Sequence, residues 1–127
     1  MRRSEQRRAA VVALYQADLN DREPREVMEP TARTFTRELV QGVAHWREEI
    51  DGLIEHHAEG WTLDRIAPLE RNILRVALFE VLHRSDVPAE VAIDEAVEAA
   101  KELCGAEAPG FVNGILGAVL RESVQSA

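Results

Sequence analysis

Residues 68–84, PLERNILRVALFEVLHR, decide the fold. Proline is tolerated in the first turn of a helix and breaks one elsewhere, so Pro68 reads as a start. Leu69, Ile73, Leu74, Val76, Ala77, Leu78, Phe79, Val81 and Leu82 follow, and on a helix they cover most of the circumference. A helix apolar on nearly every side belongs inside a fold, and this segment is expected to be the central one. Glu80 falls by helical angle between Ile73 and Val76, inside the apolar arc, and Arg71 and Arg75 share the helix. A buried acid needs a partner, so a structural ion pair in the core is expected here, not catalysis.

On the N-terminal side, residues 4–20 carry Ala10, Ala13, Leu14 and Ala17 at helical spacing, with Ser4 the expected N-cap. A charged loop with two prolines, NDREPREVMEP (20–30), separates this helix from the next segment, 31–59. There Phe35, Leu39, Val43, Trp46, Ile50, Leu53 and His57 recur in steps of three and four. That is one face of a long helix, or of two helices with a bend at Gly42 or Gly52, since glycine costs about 1 kcal/mol in a helix interior. GWTLDRIAP (60–68) reads as a short helical turn capped by Thr62, with Trp61 stapled onto Ile66.

On the C-terminal side, Ser85 or Asp86 is the expected cap of a helix with Pro88 in its first turn. Its core face is Val91, Ala92, Ala96, Ala99, Ala100 and Leu103, and Gly105 ends it. The last helix starts near Pro109 and carries Phe111, Val112, Ile115, Leu116, Val119 and Leu120. Gly114 and Gly117, three apart on it, imply a second backbone packed close. No long period-2 alternation occurs. The reading is all-α: one compact domain over residues 1–127, with six or seven helices.

Composition narrows the function. A chain of 127 residues is one domain by length, and 46% apolar content suits a folded one. The longest apolar run, AAVVALY, is seven residues, against the ~20 needed to cross a bilayer. No apolar secretion-signal core follows the first arginines, so a cytoplasmic protein is expected. The single cysteine, Cys104, suits a reducing compartment and reads as packing, since no activating neighbour is identifiable.

The net charge is −8, yet MRRSEQRR (1–8) holds four arginines and one glutamate, +3 on its own. An acidic chain repels nucleic acid as a whole, so any contact must use a local patch. Arg3 and Arg7 lie one turn apart on one side of the first helix, flanked by Arg8, with Tyr15 two turns further on. Arginines so placed can straddle phosphates, and an adjacent aromatic can stack an unpaired base. The competing reading is a solvated helix end. Asp94, Glu98 and Glu102, with Glu95 beside them, form an acidic stripe that is either a solvated face or a surface for a basic partner. The histidines (His45, His56, His57 and His83) show no metal-ligand spacing, and adjacent ring vectors diverge by ~100° on a helix. No nucleophile elbow, phosphate loop or dinucleotide fingerprint occurs, so neither an enzyme nor a cofactor is expected.

Three separated stretches, ILRVALFE (73–80), DVPAEVAIDEAVEAAK (86–101) and FVNGIL (111–116), resemble the NusB family of bacterial transcription antitermination factors. RRAAVVALYQAD (7–18) and LVQGV (39–43) extend the resemblance over almost the whole chain in the same order. It implies an all-α fold of two small packed helical bundles, without catalysis or cofactor. The implied partners are NusE, a small-subunit ribosomal protein, and the boxA element of nascent ribosomal RNA. The pair helps assemble a complex that carries RNA polymerase past terminators. By position Arg3, Arg7 and Tyr15 match RNA-side positions, and Arg8 extends the patch. Phe111 matches an aromatic that is a candidate to stack on a base, and Glu70 an acidic position facing NusE; Asn113 reads as structural, holding a loop by side-chain hydrogen bonds. Gly110 stands where the family often has a basic residue, so one phosphate contact fewer is expected. The alternative function is a helical interaction module, such as a homodimer that masks the arginine patch.

Overall fold

The computed structural model describes residues 2–126, with side chains described through Ser123. Seven α-helices occur in this stretch: α1 (Arg3–Asn20), α2 (Pro24–Val27), α3 (Thr34–His45), α4 (Arg47–His57), α5 (Pro68–His83), α6 (Ala89–Leu103) and α7 (Ala108–Ser126). A 3₁₀ turn, Leu63–Arg65, precedes α5. No strand is present among the described residues.

The stretch 68–84 does what its pattern predicts. Every residue of α5 from Asn72 to Glu80 is buried, and α1, α3, α4, α6 and α7 all pack on it. Helices α1, α2 and α3 pack on one another, and α7 packs on both α4 and α6, which makes two groups about α5. The core is continuous across both groups, from Leu14, Leu39 and Val43 through Leu74 and Leu78 to Ile54, Val112 and Leu116. The two bundles implied by the resemblance therefore share α5 as a common wall.

Several local details depart from the sequence pattern. Ser4 does not cap α1: Arg2 occupies the cap position, and the Ser4 hydroxyl donates instead to Glu95 at 2.9 Å. The bend in 31–59 lies at neither Gly42 nor Gly52 but at Trp46, which ends α3 and begins α4 with φ −103° and ψ 20°. The Trp46 ring stacks on His83 of α5, centroids 3.8 Å apart and planes 10° off parallel. The bend is thus fixed by a long-range contact, not by a weak helix former. Gly42 has another task. A Cβ there would lie 2.2 Å from the Phe79 ring, so the absence of a side chain is what lets α3 press against α5. The expected close approach at Gly114 and Gly117 does not occur: nothing lies within 4 Å of the first, and only the flexible end of Arg121 meets the second.

Thr62 gives no cap bond to the 3₁₀ turn and donates to the Asp64 carboxylate at 2.6 Å. Trp61 stays 53% exposed while Ile66 is buried. Neither Ser85 nor Asp86 caps α6. Pro88 takes that position, and Asp86 is held by Arg84. Val91 is exposed, and Ile93 takes its expected place in the core.

Candidate nucleic-acid interface

The arginines of α1 divide by direction. Arg7 points inward and is 8% exposed. Its Nε and Nη2 donate to the two Glu80 carboxylate oxygens, both at 2.8 Å. The core ion pair expected for Glu80 is therefore present, but its cation is Arg7, not Arg71 or Arg75. Burial by itself lowers the Arg7 pKa, but the hydrogen bond and charge of Glu80 outweigh it and leave the guanidinium above its usual value. Arg71 and Arg75 serve a second network. Asp18 of α1 accepts from Arg71 at 3.0 Å, Arg75 at 2.8 Å and Asn72 at 2.9 Å. Arg75 also donates to both oxygens of Asp51, at 2.8 and 3.1 Å. Burial alone would raise the Asp18 pKa, but the Asn72 bond, the Arg75 charge and the Arg71 bond together hold it below the usual carboxylate value.

Arg3 and Arg8 lie at the surface. Arg8 donates to Glu102 at 2.6 and 3.0 Å, and through Nη1 to the Ser4 carbonyl at 3.0 Å. Three members of the acidic stripe thus meet basic groups of their own chain, Glu102 at Arg8, Glu98 at Lys101 and Glu95 at Arg7 and Arg8, while Asp94 is exposed. Arg3 reaches Asp86 at 3.4 Å and lies over the Phe35 ring, 4.2 Å from its centroid. Arg84 approaches the same ring at 5.2 Å and Arg7 at 5.3 Å. Arg84 also donates to Glu38 and Asp86. Its bond holds the Asp86 carboxyl far below the usual range, and the two acids raise Arg84. The sequence pattern offered Phe35 only as a core position and did not single out Arg33 or Arg84. They come from α3 and the end of α5, and only the fold brings them beside Arg3.

Tyr15 is half-buried on α1. Phe111 is half-buried in the first turn of α7 and lines two clefts, both shared with Trp61. One cleft also contains His56, His57 and Arg121, and the other Arg65, Glu70 and Glu107. The structure therefore brings Phe111 and Glu70 together, in a cleft that none of the α1 arginines lines. Burial raises the Glu70 pKa. It also raises that of Cys104, with the Glu70 charge adding to the effect, so this thiol is poorly suited to act as a nucleophile. Nearby, His57 lies 2.8 Å and His56 3.8 Å from Glu122, closer together than adjacent helical positions suggested.

Comparison with known proteins gives this geometry its family. The sequence pattern of the NusB family matches residues 4–121. The chain belongs to the NusB family. A transcription antitermination protein NusB of Frankia casuarinae is 52% identical over 92 residues, covering 72% of this chain and 68% of that one. The protein of the same description from Myxococcus xanthus is 41% identical over 126 residues, covering 89% and 90%. Among solved structures, one of antitermination factors NusB and NusE in complex with double-stranded RNA superposes with a TM-score of 0.83. It is 28% identical and spans 96% of this chain and 99% of that one. The seven-helix arrangement around α5 is thus a NusB-family fold.

Proposed function

We propose that this chain is a transcription antitermination factor that binds boxA-type RNA of nascent ribosomal transcripts together with NusE, and helps assemble the antitermination complex on RNA polymerase. The observation that carries the reading is the family match over residues 4–121, joined to the likeness to a NusB–NusE complex with RNA. The family consists of antitermination factors, not enzymes, and the proposed role is binding without catalysis or cofactor. Residues 1–127 act as one RNA-binding domain. No helix among the described residues is long and apolar enough to cross a membrane, and we place the protein in the cytoplasm, where nascent RNA is made.

Within this reading Arg3 and Arg8 supply phosphate contacts, each exchanging a carboxylate of its own chain for the RNA backbone. Arg7 acts from beneath: its bond to Glu80 fixes the first two turns of α1 against α5. Tyr15 extends the surface along α1. Phe111, half-buried at the rim of its clefts, offers its ring for an unpaired base to stack on, a contact worth about 1–3 kcal/mol where it forms. Glu70, in the same cleft, faces NusE.

The test is fluorescence anisotropy of labelled boxA RNA with and without NusE, against a scrambled RNA. Preference for boxA that tightens with NusE is the expected result. Arg3→Gln/Arg8→Gln should weaken both RNAs, and Phe111→Ala should cost about 5- to 150-fold. Absence of any boxA preference, alone or with NusE, would overturn the reading.

A further inference from the structure

The cleft beside the start of α1 has one cation left over. Among the described residues Arg3, Arg8 and Arg84 each hold a carboxylate at the surface, and Arg7 holds one in the core. Arg33, exposed at the start of α3, makes no ion pair within that set. It lines a shallow cleft of about 410 Å³ with Arg3, Thr34, Phe35, Glu38 and Arg84. Glu38, the acid in this cleft, is already committed to Arg84, which also holds Asp86; Glu29 lines the neighbouring cleft with Arg33 and forms no ion pair with it among the described residues.

The cluster is electrostatically loaded. Three guanidinium groups gather about the Phe35 ring, at 4.2, 5.2 and 5.3 Å from its centroid. Their mutual repulsion is registered at Arg7, where the Arg84 charge works against protonation. Contact with the ring offsets part of this. An anion in the cleft would offset it further. The positive end of the α3 dipole adds to the same field.

Arg33 also lines the neighbouring cleft along α1, about 780 Å³, which reaches Arg8, Val12 and Gln16. It therefore stands between the Arg3 and Arg8 ends of the surface, where a continuous backbone following α1 must pass. The ligand is a phosphate and not a base. Phe35 is 6% exposed and already covered by guanidinium groups, so it has no open face on which to stack one.

We infer that Arg33, with Arg3 and Arg84 around it, binds a backbone phosphate of the RNA and joins the two ends of the α1 surface into one track. This inference rests on the RNA-binding reading above. Arg33→Gln suits the test because the side chain is exposed and breaks no ion pair. Arg25→Gln, exposed on α2 and outside both clefts, is the control.

Binding of boxA and scrambled RNA, each in the presence of NusE, would be followed from 50 to 300 mM KCl. Arg33→Gln should weaken both RNAs by the same several-fold factor. It should also flatten the log Kd against log salt slope by about 0.7, the loss of one phosphate on a single strand. Arg25→Gln should match wild type. If Arg33→Gln leaves affinity and slope unchanged while Arg3→Gln/Arg8→Gln weakens both, the Arg33 site is wrong and the RNA-binding reading stands. A loss confined to boxA would make Arg33 a base reader and overturn the phosphate assignment. Weaker NusE binding in the absence of RNA would make it a protein contact, with the same consequence. Equal wild-type binding of both RNAs would sink the boxA reading while still testing Arg33 by slope. If wild type binds no RNA, both fall.

Discussion

Two arginine clusters in this molecule have nearly the same composition and opposite fates. The inner one joins Arg47, Arg71 and Arg75 to Asp18 and Asp51. The outer one gathers Arg3, Arg33 and Arg84 around Glu38 and Asp86. In the inner cluster Arg75 is 2% exposed by side chain and the two aspartates 13% and 18%. In the outer one Arg3 and Asp86 are both 49% exposed, and Glu38 45%. The inner cluster, buried except for Arg47 at its rim, 38% exposed, thus locks helices together, and the outer one, where only Arg84 is largely covered at 18%, leaves a surface open to another anion. Burial, not composition, decides which.

The largest expected effect comes from breaking the inner cluster. Arg75→Ala would leave Asp18 with Arg47, Arg71 and Asn72 and Asp51 with Arg47 alone, and weakening a buried ion network in this way costs up to about 3–5 kcal/mol, the cost of leaving a buried charge unpaired. Urea unfolding should show a large fall in midpoint with little change in slope. A shift within the range of surface substitutions would mean that water already reaches these groups.

This contrast was only half legible in the sequence. The apolar pattern of 68–84 announced a buried helix because periodicity is a local property. That Glu80 needed a cation was legible too. Its partner was not, because Arg7 lies 73 positions away and carries the same charge as its outward-facing neighbours. The bend at Trp46 was equally hidden, since its fixing contact is the ring of His83. The candidate RNA residues Arg3, Arg7 and Arg8 stand together in the chain, but the fold turns one of them inward. It also recruits Arg33 and Arg84 from elsewhere, and no spacing in the sequence connects those two with Arg3.

A smaller effect sharpens the inner half of the comparison. Asp18 has its pKa lowered in the folded state, so the stability it contributes is complete above the unfolded carboxylate value, about 3.9. That contribution is lost as the pH falls through the depressed folded value. Asp18→Asn should cost about 1.5–3 kcal/mol at pH 7, the range for hydrogen bonds to a charged group. It should also flatten the decline in stability below pH 4 relative to wild type. Parallel acid-unfolding curves for the two proteins would show that Asp18 is not the group being titrated.

The smallest effect on stability belongs to the outer cluster, where the same kind of substitution should act in another currency. Asp86 lies at the surface, held by Arg84 and touched by Arg3 at 3.4 Å. Exposed pairs of this kind contribute little to folding because water and salt screen them and long side chains lose freedom in forming them. Asp86→Asn should therefore leave the urea midpoint at its wild-type position. It should release Arg3 and leave Arg84 with Glu38 alone, making the cleft more positive. RNA binding should then tighten at low salt, with a salt dependence steeper by up to about 0.7 on the log–log slope. A substitution that is silent in unfolding and visible in RNA binding would separate the outer cluster from the inner one by function. Destabilisation without any change in RNA affinity would mean that Asp86 fastens the start of α6 to α1, and that the outer arginines are held there for the fold.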